Sequence, residues 1–220
     1  MAMDGGKKLG KRDGAKDILD YAKDGYLPEA MINFLATLGW NDGTEQEIFS
    51  RAELIESFSL DRVQKSPARF DEQRLLWLNG QHIRQLSLDE LYSRVESFWP
   101  ISAVKASEPL KKHILSLVHD RLKTLGDLGI ISDYFFVDPT PNWDMIKDSK
   151  QLKKLEREEL AELLQEAKSA FEQVEDFTPE SLQVTLNQLL ETTAQKPAVL
   201  FSIIRLAVSW APFSPMLPDT

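Results

Sequence analysis

Gly25-Tyr26-Leu27-Pro28-Glu29-Ala30-Met31, running on to Leu38-Gly39-Trp40, is the stretch on which the fold turns. Pro28 suits the first turn of a helix: its missing N–H costs nothing there and its fixed φ is already helical. Ala30, Met31, Phe34, Leu35 and Leu38 then recur at helical spacing, and Gly39 offers a left-handed stop. The same punctuation recurs along the chain. Ser50-Arg51-Ala52-Glu53 and Ser87-Leu88-Asp89-Glu90 read as capping boxes, in which serine and glutamate exchange hydrogen bonds with each other's backbone N–H. Apolar residues follow both, Leu54, Ile55 and Phe58 after the first and Leu91, Val95 and Phe98 after the second. Ser107 can cap a helix carrying Leu110, Ile114, Leu117 and Val118. Thr178-Pro179-Glu180 and Pro197 open two more helices. The last of these, with Leu200, Ile203, Ile204, Leu206 and Val208, reads as core. Leucines at 152, 155, 160, 163 and 164 mark an amphipathic helix with a solvated acidic face. No stretch alternates long enough for a sheet. Phe135-Phe136-Val137 reads as a short extended piece before Pro139 and Pro141. The expected fold class is all-α.

A chain of 220 residues with 42% hydrophobic and 28% charged side chains can form one large domain or two to three small ones. Breaks are expected near 80–86, where Trp77-Leu78-Asn79-Gly80 reads as a helix end, and near 138–148, where Asp138-Pro139-Thr140-Pro141 interrupts the chain. These divide it into 1–84, 85–140 and 141–220. Trp40 and Trp77 follow apolar stripes and read as core anchors. There is no cysteine, which excludes disulfides and thiolate metal sites and fits a reducing compartment. His82, His113 and His119 have no zinc spacing and read as solvated or helix-surface residues, so no metal site is expected. No apolar leader is visible. Pro197–Pro212 contains Arg205 and is too short for a membrane span. A cytoplasmic, membrane-free protein is expected.

The net charge is −9, which argues against general affinity for polyanions. The charge is uneven, however. Glu156 to Glu180 is dominated by acids, whereas cations concentrate at 7–16, at Arg62, Lys65, Arg69, Arg74 and Arg84, and at Lys105, Lys111, Lys112, Arg121 and Lys123. The first cluster is Lys8-Leu9-Gly10-Lys11-Arg12-Asp13-Gly14-Ala15. Glycine lets backbone N–H groups approach an anion closely. Lysine supplies a compact charge and arginine a rigid fork that matches phosphate oxygens. Such a loop is suited to gripping phosphates, although short basic runs are also common as solvated loops.

That loop, the Gly25–Met31 and Leu38–Trp40 runs, Ser66-Pro67-Ala68-Arg69-Phe70-Asp71 and Leu76-Trp77-Leu78-Asn79-Gly80 together resemble the bacterial-type glutamyl-tRNA synthetases. The resemblance is strongest over about residues 7–80. It casts the opening loop as the Lys-Met-Ser-Lys-Arg-like signature of class I enzymes. Lys8, Leu9, Lys11 and Arg12 fit that pattern, with leucine in place of methionine and Gly10 in place of serine. The resemblance implies that Lys8, Lys11 and Arg12 meet ATP phosphates, Lys11 directly. It also implies a stem-contact helical domain (1–84) followed by two helical anticodon-binding subdomains (85–140 and 141–220, the second shortened). The expected parent enzyme attaches glutamate to tRNA using ATP and Mg²⁺. The present chain, without a nucleotide-binding sheet, is expected to be inactive alone, to bind no cofactor and to be monomeric.

Under that resemblance an RNA-facing surface favours the first two-thirds of the chain, through Lys65, Arg69, Lys111 and Lys112. Ser66–Asp71 reads equally as an RNA-backbone contact or as a turn in which Asp71 caps the next helix. Arg121, beside Asp120 and ahead of Gly126, sits where the family reads the anticodon partly with arginine. The alternative for Arg121 is a surface ion pair near Asp120 or with Glu108. A stand-alone helical RNA-binding or protein-interaction module is the competing class, and such a module has no need of a phosphate loop.

Overall fold

The computed structural model describes residues 2–4, 7–8, 16–65, 68–211 and 214–220. They are predominantly helical, as the sequence leads one to expect, and fall into two compact units. The first is Met1–Pro100 with Glu108–Gly129, and the second is Ile101–Ser107 with Ile130–Thr220.

The first unit begins with a small sheet that the sequence did not announce. Strand β1 (Ala2–Asp4) pairs antiparallel with β2 (Lys7–Lys8) and parallel with β3 (Ala68–Arg69), placing Met3 opposite Arg69. Strands of two or three residues are too short to show alternation, and the β3 pairing joins segments more than sixty residues apart. Helices follow: α1 (Ile18–Lys23), α2 (Pro28–Thr37), α3 (Arg51–Ser57), α4 (Glu72–Gln85), α5 (Leu88–Arg94) and α6 (Glu108–Val118). α7 (Asp127–Ser132) carries the chain from the first unit into the second. Pro28 opens α2, and Ser50 and Ser87 form complete capping boxes with Glu53 and Glu90. The Asp71 carboxylate accepts from the backbone N–H groups of Gln73 and Arg74, capping α4. α2 packs against α4. Tyr21, Met31, Phe34, Leu75 and Leu78 form the core between them, closed by edge-to-face contacts of Tyr21 with Tyr26 and Phe34 with Phe70. Trp40, Phe49 and Leu54 form a second cluster.

Several expectations are corrected here. Gly39 is not left-handed; among the described glycines Gly25 and Gly43 have positive φ. The carbonyl of Gly39 instead accepts from Gln64 N–H at 2.7 Å. The helix expected to end at Gly80 runs on to Gln85. Gly80 lies buried inside that helix. Trp77 sits on the outer side of α4 and is 43% exposed, so only Trp40 is a core anchor. His82, expected at the surface, is buried and hydrogen-bonds Asn33 at 3.0 Å. Leu110 and Val208 are exposed.

The second unit packs α9 (Arg157–Phe171) against α10 (Pro179–Thr193) and α11 (Pro197–Ser209), with α8 (Asp144–Asp148) alongside. Its core includes Leu152, Leu160, Leu163, Leu186, Leu200, Ile203 and Ile204. Thr178 caps α10, as its sequence implies. Phe135–Val137 is not extended: Asp133–Phe135 forms a 3₁₀ turn whose Asp133 carbonyl accepts from Phe136 and Val137 N–H. Among the described residues no helix is long and apolar enough to cross a membrane.

Candidate nucleic-acid interface

Of the phosphate-loop residues, Lys8 lies in β2, and Leu9, Gly10, Lys11 and Arg12 fall outside the described residues. The Lys16 ammonium pairs with Asp24. Asp17 then caps α1. Lys65 is exposed, Ser66 lies outside the described residues, and Arg69 is exposed on β3.

α6 carries the next pair of candidates, and their surroundings differ. Lys112 bridges Asp89 at 2.7 Å and Glu108 at 3.0 Å and sits over the Tyr92 ring. The hydrogen bonds it donates to both carboxylates push its pKa up to about 12. Its charge is therefore already met within the protein. Lys111 lies over the Trp99 ring, 5.6 Å from its centroid, without an ion pair among the described residues.

Arg121 ends the 3₁₀ turn His119–Arg121. It is exposed and makes no ion pair among the described residues; Glu108 pairs with Lys112 instead. The turn around it is rigid. Leu122 and Leu125 are buried, and His119 Nε2 meets the Ile83 carbonyl at 2.8 Å. Arg84 donates to the Asp120 carbonyl, and the Asp127 carboxylate accepts from Lys123 and Thr124 N–H, both at 2.9 Å. Beneath it lies Asn79, fully buried. Its side-chain oxygen accepts from Leu27 N–H at 2.7 Å while its amide donates to the Lys123 carbonyl at 2.6 Å. Leu125 N–H donates to the Gly25 carbonyl at 2.9 Å. Gly25, at φ +86°, lets that pairing close: a Cβ there would fall 2.4 Å from Gly126 N. The result is a fixed turn presenting Arg121 and Lys123 outward, flanked by residues that point in.

Sequence reasoning missed one feature of the second unit. The Tyr134 hydroxyl and the Arg205 Nε are both buried without a hydrogen-bond partner. Burial raises the Tyr134 pKa, and the nearby Arg205 charge opposes the shift. Two orphaned polar groups within electrostatic reach of each other are unusual in a folded protein. The residues are 71 positions apart, and Arg205 lies within an apolar helix. The arginine among those apolar residues is the only signal the sequence held.

Residues 90–220 match the family described as the anticodon binding domain, and residues 1–77 match that described as tRNA synthetases class I (E and Q), catalytic domain. The chain belongs to the anticodon-binding-domain family of the aminoacyl-tRNA synthetases. More particularly, it is similar to glutamate–tRNA ligases. It is 33% identical over 224 residues to that of Exiguobacterium sibiricum and 32% identical over 222 to that of Bacillus subtilis, covering 97% of this chain and 45% of each relative. Its fold matches the glutamate–tRNA ligase of Elizabethkingia meningosepticum, solved in complex with its amino acid, with a TM-score of 0.75 at 27% identity over 98% of this chain and 45% of that one. The glutamate–tRNA synthetase of Elizabethkingia anophelis matches with a TM-score of 0.73 at 26% identity over 100% and 46%. The chain thus spans less than half the length of the relatives it matches, and that portion includes their anticodon-binding part.

Proposed function

We propose that the chain forms the tRNA-contacting part of an enzyme that joins glutamate to tRNA at the expense of ATP. The observation that carries the proposal is the fixed turn presenting Arg121 and Lys123 from a chain of the anticodon-binding family. An arginine held this way can pair with a base edge or a phosphate without first losing side-chain freedom to a flexible backbone. Arg121 is the leading contact. Lys111, Lys65 and Arg69 add phosphate contacts, and Lys112 joins only by giving up Asp89 or Glu108. Tyr134 and Arg205 form a second receiving point. The division into stem-contact (1–84) and two anticodon-binding parts (85–140, 141–220) belongs to the same proposal.

ATP phosphates would be held by Lys8, Lys11 and Arg12, whose cations would meet the charge that gathers on departing pyrophosphate. Mg²⁺ accompanies ATP in this scheme; among the described residues no group of three His, Asp or Glu stands ready to hold a metal. Residues 1–220 alone are expected neither to activate glutamate nor to charge tRNA, and to act as a monomer in the cytoplasm. Binding to tRNA should be electrostatic. On a duplex, log K should fall with log salt by about 0.9 per phosphate neutralised. Arg121→Ala should weaken binding and flatten that slope by about one such unit, while Lys112→Ala should change it less. A filter-binding series across salt tests this. Absence of binding at low salt, or no response to Arg121→Ala, overturns the proposal in favour of a module without an RNA role.

A further inference from the structure

Beside Trp40 the first unit holds a polar cavity of about 540 Å³, large enough for one nucleoside. Its walls come from the end of α2, the 39–47 loop, Gln64 and Arg74. None of its lining residues is among the RNA contacts proposed above; Lys65, which is, follows the lining residue Gln64. Two wall residues carry orphaned donors: Trp40 Nε1 and Arg74 Nε are buried without a hydrogen-bond partner. Trp40 itself is 3% exposed. Such groups are rare because each leaves a desolvated N–H unmet. Both residues line the cavity together with residues of the 41–47 loop.

The chemistry of the wall narrows the ligand. Two exposed carboxylates, Glu45 and Glu47, stand with one guanidinium, Arg74, whose Nη2 is 3.5 Å from Glu47. That separation leaves the fork weakly engaged. A net negative wall disfavours a phosphate group inside the cavity. It favours a planar ligand that offers paired acceptors on one edge and paired donors on another. Among the nucleobases guanine does so: O6 and N7 accept from an arginine fork, while N1–H and N2–H₂ donate to a carboxylate. The rim suits the rest of a nucleotide. Arg62 donates to the Asp42 carbonyl in the same loop, and Lys65, next to the lining residue Gln64, is exposed and has no ion pair among the described residues. Both cations stand outside the acidic wall, where backbone phosphates would lie.

We propose that this cavity receives one unstacked guanine of an RNA strand, with Arg74 on its O6/N7 edge, Glu45 or Glu47 on its N1/N2 edge, and Arg62 and Lys65 on the flanking phosphates. This rests on the RNA reading given above. RNA recognition commonly works on splayed bases in this way.

The test is titration of the 220-residue chain with GMP, AMP, CMP and UMP, followed by the indole N–H signals of ¹⁵N-labelled protein, with inorganic phosphate as control. GMP should move the Trp40 signal and bind about tenfold more tightly than AMP. The double variant Glu45→Gln/Glu47→Gln and the single variant Arg74→Gln should each remove that preference. Glu45 and Glu47 are exposed loop residues, so their variant keeps the test valid should Arg74→Gln disturb the fold. Equal response to all four nucleotides, or a response to phosphate alone, overturns the proposal. The tRNA series separates the two readings. If the chain binds tRNA but no nucleotide moves Trp40, the cavity assignment fails and the RNA reading stands. If GMP binds but tRNA does not, the RNA reading fails and the cavity is a free-nucleotide site.

Discussion

Replacing Asn79 by alanine should weaken the first unit more than the loss of three side-chain atoms suggests. The amide joins two distant segments, accepting from Leu27 N–H at 2.7 Å and donating to the Lys123 carbonyl at 2.6 Å. In the alanine variant the Leu27 N–H is left buried and unpaired, at a cost of about 1–3 kcal/mol. The Lys123 carbonyl is only partly buried, so water recovers some of its bond and about 1 kcal/mol is lost there. The total, about 2–4 kcal/mol, is a large part of the 5–15 kcal/mol that holds a typical domain folded. Asn79→Asp sharpens the test. The carboxylate keeps the bond from Leu27 but turns an acceptor toward the Lys123 and Gly25 carbonyls and introduces a charge into a buried place. It should destabilise at least as much as alanine. Urea unfolding with the slope held common gives the free energies, and hydrogen exchange at the Leu27 amide reports the local bond. A loss below about 1 kcal/mol for alanine, or an aspartate variant milder than alanine, refutes the bridging role.

Burial lowers the pKa of His82 from its ordinary 6.5. The unfolded chain therefore takes up a proton at this site before the folded one does, and stability contributed above pH 6.5 should decline as pH falls below it, by at most about 1.4 kcal/mol per pH unit. His82→Gln should flatten the urea-midpoint profile between about pH 6.5 and 5, above the range in which Glu29, held low by Arg94, begins to titrate; an unchanged profile counts against the buried neutral imidazole. Gly25→Ala combines a positive φ with a clash against backbone and should cost more than about 2 kcal/mol, whereas Gly43→Ala, at φ +87° in an open turn whose nearest neighbour is a flexible arginine tip, should cost about 1 kcal/mol. Equal melting temperatures for the two variants would show that the Gly25–Gly126 approach is not tight. Lys11→Ala should slow ATP–pyrophosphate exchange in a full-length enzyme carrying this loop, leave tRNA affinity nearly intact, and shift the stability of the 220-residue chain by no more than about 0.5 kcal/mol; unchanged exchange would remove the phosphate role.

The helices could be read from the sequence because their signals are local. Pro28, Pro179 and Pro197, the two serine–glutamate boxes and Asp71 all act within one turn of where they stand. What failed was set by partners far along the chain. His82 is buried and bonded to Asn33, 49 residues away, a neighbour that no local pattern announces. Trp77 belongs to a helix with a clear apolar stripe, but which edge of that stripe faces the core depends on where α2 docks. The candidate interface divides in the same way. The basic residues were visible as composition, and Glu108 as a helical neighbour of Lys112. Asp89, which completes the capture of that lysine, comes from another helix, so Lys111 and Lys112 looked alike. Tyr134 and Arg205 could be paired only by the fold.

The first unit is assembled from two stretches of chain separated by Ile101–Ser107, and this gives its synthesis an order. Leu27 and Asn79 can meet once the α2 and α4 segments are available. The amide's second bond must wait for Lys123, 44 residues later, which at 5–20 residues per second is about 2–9 s. Through that interval Gly25 has no Leu125 to pair with, and the surface of α4 that receives the 119–125 turn stands open. A ribosome that slows between codons 80 and 123 would hold the protein at its most exposed, and an early stop in the same window would release a chain whose polar core cannot close.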